Sequence, residues 1–198
     1  MNIAILTFDG FNELDSFIAA GIINRMKDFG WNVQITCPSA SVTSMNGLTI
    51  QAQQALEFAN TADAVVFGSG LLTREIAKDN HILSRLSLNP NQQLICGQCS
   101  GTLLMSVLGL LEDIPACTDL TTKPWVIESG VEVLKLPFYA KGNIATAGGC
   151  LASQYLAAWI INKLADKASA QAAIHYVAPV GEKESSVNHC MSVISKYI

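Results

Sequence analysis

One short stretch carries the residue types that chemistry needs at close spacing. It is Gly97-Gln98-Cys99-Ser100-Gly101, set between the apolar run Leu94-Ile95-Cys96 and the apolar stretch that ends at Leu111. A strand that turns abruptly into a helix leaves its turn residue at the strand's carboxyl end, beside unpaired helix N–H groups. That is the frame of the G-x-S-x-G nucleophile elbow, here with sulfur in place of oxygen. The positive end of the helix favours the thiolate, so the Cys99 pKa is expected to fall. Cys99 is the candidate nucleophile; the plainer alternative is a buried structural thiol, as most free cysteines are.

Other residues qualify as its companions. Asp15, between Leu14 and Phe17, is expected to face inward near the start of the first helix, with Glu13 solvated. A carboxyl group beside a thiolate can hold a proton and pass it on, although the same position suits a carboxylate that only serves the helix dipole. Gly68-Ser69-Gly70 breaks a strand, and the backbone N–H groups of Ser69 and Gly70 could join that of Ser100 in an oxyanion hole. Asp119 and Gly149 are candidate pocket residues. Cys96 and Cys99 spell C-x-x-C, a redox signature in some settings, but Cys96 is expected inside the strand, pointing into the core. His81, His175 and His189 have no His or Cys partner at zinc spacing, so no metal and no other cofactor is expected.

Strands and helices must position these residues. Asn2–Leu6 reads as a strand buried on both faces, followed by a loop through Asp9-Gly10. From Glu13 the residues Leu14, Phe17, Ile18, Gly21, Ile22 and Met26 recur at helical spacing, and Gly30 closes the helix. Trp31–Cys37 reads as a strand, Ser41–Gln51 as a hairpin around Asn46-Gly47, and Leu56–Asn60 as a short helix. Ala62–Phe67 is another buried strand, with short helices over Leu71–Ala77 and His81–Leu88. After the Cys99 turn come a helix over Gly101–Leu111, a short strand at Ala116–Thr118 and a helix over Pro124–Ser129. Val131–Leu136 and Ile144–Ala147 read as strands, and Cys150 to Leu164 as a long helix. Ala168–Ile198 reads as one or two helices split near Pro179-Val180-Gly181.

Strands alternating with helices imply an α/β fold, a mostly parallel sheet with helices on both faces. In such sheets the functional crevice lies outside the carboxyl ends of the strands. The loops at Asp9–Asp15, Gly68–Gly70, Cys99 and Thr118–Asp119 should meet there. With 198 residues, half of them hydrophobic and 14% charged, the expected organisation is a single domain over 1–198 with 168–198 as a C-terminal extension. A net charge of −4 and the lack of any Lys/Arg cluster argue against a nucleic-acid partner. No apolar run reaches the length of a membrane span, and the start MNIAILTFDG lacks the basic segment of a signal peptide. Six cysteines in such a chain read as reduced thiols, with the cytoplasm as the expected compartment.

Four segments resemble the ThiJ/PfpI superfamily, related to class I glutamine amidotransferases: FDGFNELDSF (8–17), AVVFGSG (64–70), ICGQCSGTLLMSVLGLL (95–111) and ATAGGCLASQYLAAWI (145–160). The resemblance implies a flavodoxin-like sandwich. It is strongest to the branch holding isocyanide hydratase and the amidotransferase-like domains of AraC-type regulators, which carries Leu-Asp where others carry glutamate. Asp15 falls on that acid position, and Ser100 where the hydratases have threonine. Counting on from Leu111 without a gap puts Asp119 where many relatives have histidine, and an alternative register puts Lys123 there; neither supplies an imidazole, which weighs against a protease or amidase.

The resemblance implies a cysteine-dependent hydratase, or a related hydrolytic enzyme, acting on a small apolar electrophile. Cys99 would be the nucleophile and Asp15 the proton shuttle. The alternative is a non-enzymatic ThiJ/PfpI protein that senses redox state through an oxidisable Cys99 or binds a ligand. The expected partners are a small molecule and a second copy of the chain, paired through the first helix and the tail.

Overall fold

The computed structural model describes residues 1–198. The order of elements is β1 (Asn2–Leu6), α1 (Glu13–Ile23), β2 (Asn32–Cys37), β3 (Ser41–Thr43), β4 (Thr49–Gln51), β5 (Gln54–Ala55), β6 (Ala64–Phe67), α2 (Thr73–Ile76), α3 (Asn80–Leu83) and β7 (Leu94–Gln98). There follow α4 (Gly101–Val107), α5 (Lys123–Glu128), β8 (Phe138–Lys141), β9 (Ile144–Ala147), α6 (Ser153–Leu164), α7 (Lys167–Val177) and α8 (Lys183–Ile194). No helix is long and apolar enough to cross a membrane.

Seven strands form one sheet in the order β5-β2-β1-β6-β7-β9-β8, and only β8 runs antiparallel to its neighbour. The register is continuous across the middle, with Ile5 beside Val66, Val66 beside Cys96 and Cys96 beside Ala145. The central strands are apolar at consecutive positions because helices cover both faces. Ile3, Ile5, Val66 and Cys96 point to the side covered by α1, α6, α7 and α8. Ala4, Leu6, Val65, Phe67 and Ile95 point to the other side, covered by the shorter α2, α4 and α5. The architecture is therefore α/β with a flavodoxin-like sandwich. The β3–β4 hairpin stands apart from the sheet.

Strand order reverses between β1 and β6, because the chain leaves β1 for β2 and returns on its far side. The loops after β1, β6 and β7 thus open on the crevice where such sheets place their ligands. Asn12 caps α1 by accepting the Leu14 N–H at 3.1 Å. Glu13 is not simply solvated, as its sequence position suggests: it is half-buried and accepts hydrogen bonds from the Ser44 hydroxyl and the Asn46 amide.

Several elements differ from their sequence patterns. The helix after Cys99 stops at Val107 rather than Leu111, since the chain turns left-handed at Gly109 (φ 72°). Ala116–Thr118 and Val131–Leu136 are not strands; they meet in a single bridge between Ala116 and Val133. The edge strand is Phe138–Lys141 instead. Gly142-Asn143 joins it to β9 with φ 64° at the glycine, as a tight hairpin turn requires. Phe138 decides the placement by burying its ring against Trp159 and Tyr197. The helices near residues 71–77 and 81–88 shrink to Thr73–Ile76 and Asn80–Leu83, and Cys150–Ala152 forms a 3-10 turn ahead of α6.

Gly101 sets how closely α4 approaches β6. A Cβ there would lie 2.4 Å from the Phe67 carbonyl oxygen. Gly101→Ala should therefore cost about 1–3 kcal/mol, the usual range for overpacking, read as a lower urea midpoint.

Candidate functional site

The turn between β7 and α4 is left-handed at Cys99 (φ 48°), one of only two non-glycine residues with positive φ. That conformation costs an L-residue about 1–2 kcal/mol, so other contacts must hold it. The Cys99 N–H donates to the Ala147 carbonyl at the end of β9, and the Thr118 hydroxyl donates to the Cys99 carbonyl, both at 2.8 Å.

Gln98 continues the parity of Leu94 and Cys96 and so points to the α1 side of the sheet. There its amide Nε2 lies 3.2 Å from Cys99 Sγ, 2.9 Å from the Gly149 carbonyl and 3.4 Å from Asp15 Oδ1. The Gly149 N–H donates to Cys99 Sγ at 3.3 Å, from a backbone at φ 94°. Asp15 is fully buried, and its other carboxylate oxygen accepts the Ser69 hydroxyl. A second thiol completes the group. Cys150 Sγ, Cys99 Sγ and an Asp15 oxygen lie within 4.8 Å of one another. Cys150 Sγ also accepts the Asn12 side-chain N–H at 3.3 Å. These three residues are the donors gathered closely enough to share one ion, and the set contains no imidazole.

Electrostatics here run against the sequence expectation. Burial pushes the Cys99 thiol well above its ordinary pKa, and the Asp15 charge pushes it further. The Gly149 N–H opposes this more weakly, and Asp119 adds a small push upward. With Cys99 only 4% exposed and α4 a mere seven residues long, loss of water outweighs the helix end. Cys150 is raised too, first by burial and then by Asp15. The carboxylate within reach of the Cys99 sulfur is Asp15, within 4.8 Å of it.

The residues expected to form an oxyanion hole divide. Neither the Ser69 N–H nor the Ser100 N–H has an acceptor within the chain. The Gly70 N–H, also expected to be free, donates to Ser100 Oγ at 3.1 Å. Ser100 Oγ in turn pairs with the Thr73 hydroxyl at 2.8 Å, so this side chain ties the 68–70 loop to the elbow. Asp119 is half-buried, and its Oδ1 accepts the Thr121 and Thr122 N–H groups at 2.8 and 2.9 Å.

Asp15, Ser69, Gly70, Cys99, Ser100 and Asp119 all line one cavity of about 280 Å³, together with Asn12, Met45, Leu71, Trp125 and Cys150. That is near the lower end of ligand cavities, roughly 300–1,000 Å³. Gly149 touches the sulfur without lining the cavity. Two of the larger grooves, of about 520 and 660 Å³ and walled largely by α1, the turn after it and the C-terminal helices, hold no cysteine. Sequence reading passed over Gln98, Thr73, Asn12 and Cys150 as site residues. Gln98 stood in the motif itself, and Cys150 followed the Gly148-Gly149 pair, but only the fold brings Cys150 to Cys99.

Because Asp15 raises the thiol, Asp15→Asn should let Cys99 ionise at lower pH. The rate of iodoacetamide alkylation at Cys99, followed against pH, is expected to show a midpoint shifted downward in the variant.

No protein-family model and no curated protein matches the chain. Solved structures do. A ThiJ/PfpI family protein from Pseudomonas syringae matches with a TM-score of 0.76 at 19% identity, over 98% of this chain and 88% of that one. Schizosaccharomyces pombe DJ-1 matches at 0.75 and 15% identity, over 90% and 100% of the two chains. Toxoplasma gondii DJ-1, in an oxidized form, matches at 0.73 and 16% identity, over 89% and 97%. At such identities the likeness speaks for architecture, and the architecture is that of the DJ-1 and ThiJ/PfpI proteins.

Proposed function

We propose that the chain is a cysteine-dependent enzyme that adds water to a small, largely apolar electrophile, with isocyanide hydration as the reaction class. The observation that carries this reading is the buried Asp15 carboxyl group within 4.8 Å of Cys99 Sγ, at a cavity lined by no histidine. A Cys–His pair, which amide hydrolysis would call for, has no imidazole to draw on here. Addition to an isocyanide needs less: a sulfur nucleophile and one group that moves a proton.

In this reading Asp15 takes the Cys99 proton as sulfur adds to the terminal carbon, and returns it to that carbon to give a thioimidate. Water then adds to the same carbon, and the substrate nitrogen is protonated. Charge develops on the water-derived oxygen, where the free Ser69 and Ser100 N–H groups can receive it. Collapse expels the sulfur and leaves an N-substituted formamide, restoring the thiol. The Ser69 hydroxyl on Asp15 and the Gln98 amide between Asp15 and sulfur fix both reacting groups in place.

The test is turnover of para-nitrophenyl isocyanide, followed by formation of the formamide. Cys99→Ala is expected to abolish it. Asp15→Asn should lower kcat roughly 10²- to 10⁴-fold, the usual share of a proton-transferring group. Wild-type protein inert toward a panel of small isocyanides would overturn the proposal.

A further inference from the structure

All six cysteines are free, but they fall into two groups. Cys37, Cys96, Cys117 and Cys190 are at most 1% exposed and border none of the cavities described above. Cys99 and Cys150 both open on the Asp15 cavity, their sulfurs within 4.8 Å of one another. Cys150 is half-buried rather than locked into packing, and its sulfur is aimed by the Asn12 side chain. It begins a 3-10 turn just after Gly149, whose N–H donates to Cys99 Sγ at 3.3 Å and so holds the turn against that sulfur. A disulfide needs sulfurs about 2.05 Å apart, so bridging requires the two sulfurs, now within 4.8 Å, to move closer across the cavity they share. Cys96, the partner suggested by the C-x-x-C spacing, lies in the core on the α1 side of β7 instead.

We infer that this cavity has a second activity, reduction of a hydroperoxide, in which Cys99 is the attacking thiol and Cys150 resolves it as a reversible disulfide. The Cys99 sulfur attacks one peroxide oxygen and the O–O bond breaks. The attacked oxygen stays on sulfur as a sulfenic acid. The other oxygen leaves as water or an alcohol, carrying the thiol proton by way of Asp15. The Cys150 sulfur then attacks the sulfenic sulfur, the S–S bond forms and the S–O bond breaks. The departing hydroxyl takes the Cys150 proton and leaves as water. Two thiols are oxidised to one disulfide, one hydroperoxide is reduced, and an external thiol reductant restores the pair. The step shares with isocyanide hydration the Cys99 sulfur and the Asp15 carboxyl group, but neither the substrate nor the use of Cys150.

The test uses reduced full-length protein and one equivalent of hydrogen peroxide, with no isocyanide present, so failure of the hydration reading leaves it unaffected. Remaining thiols are alkylated, and the digest is mapped by mass spectrometry before and after dithiothreitol. The expected result is a Cys99–Cys150 linked peptide, with two thiols lost and both recovered on reduction. In Cys150→Ser and Cys150→Ala, each checked by circular dichroism and thermal melting, Cys99 should instead hold a sulfenic acid that dimedone traps. In Cys99→Ser, Cys150 should take up no dimedone. A sulfinic acid on wild-type Cys99 with Cys150 still alkylated would overturn the inference. Unchanged masses, or a link between any other pair of cysteines, would overturn it as well.

Discussion

The left-handed turn at Cys99 is the constraint on which the site depends. A residue with a side chain adopts φ 48° only when its neighbours over-determine it. Here β9 supplies an acceptor through Ala147, the 118–119 turn supplies a donor through Thr118, and Gly101 lets α4 begin hard against β6. These contacts come from three separate parts of the chain. The sulfur is thereby aimed at Gly149, Gln98 and Asp15 rather than buried in the core as Cys96 is, and the adjoining Ser100 N–H is left without an acceptor. Relaxation of this one turn would remove the nucleophile and alter the oxyanion geometry together.

Around that turn the chain sets up an opposition. Burial and a neighbouring carboxylate discourage ionisation of the thiol, while two N–H groups, from Gly149 and Gln98, point at the same sulfur. The thiol is thus discouraged from ionising while donors suited to its anion already surround it. Any anion formed here would meet dipoles already in place.

Much of this architecture was legible in the residues. β1, β6 and β7 are short apolar runs ended by turn residues, and in a chain that alternates strands with helices this pattern has few other readings. The elbow was legible because small residues flank Cys99; Asp15 is inward as expected, but its buried face is shared with Ser16 and Ala19 while its neighbour Leu14 is exposed. What escaped sequence reading depends on contacts between distant segments. Val131–Leu136 carries an apolar pattern fit for a strand, but Phe138 has the larger surface to bury and the Gly142-Asn143 turn to lead it into β9. The expected fall in the Cys99 pKa followed from a helix start alone, and could not weigh the burial that only the folded chain imposes. The approach of Cys150 to Cys99, like the loss of the Gly70 N–H to Ser100, joins residues with no periodic relation.

The two rims of the seven-stranded sheet are finished differently, yet with one effect. At one rim β5 is only two residues long, Gln54–Ala55. At the other, β8 reverses direction and is overlaid by Tyr197, whose ring packs on both Phe138 and Tyr139. Neither border offers another polypeptide a long row of open main-chain groups, the template from which intermolecular β-structure grows. An apolar interior this extensive is thereby bordered by short rims, which limits fibrous growth.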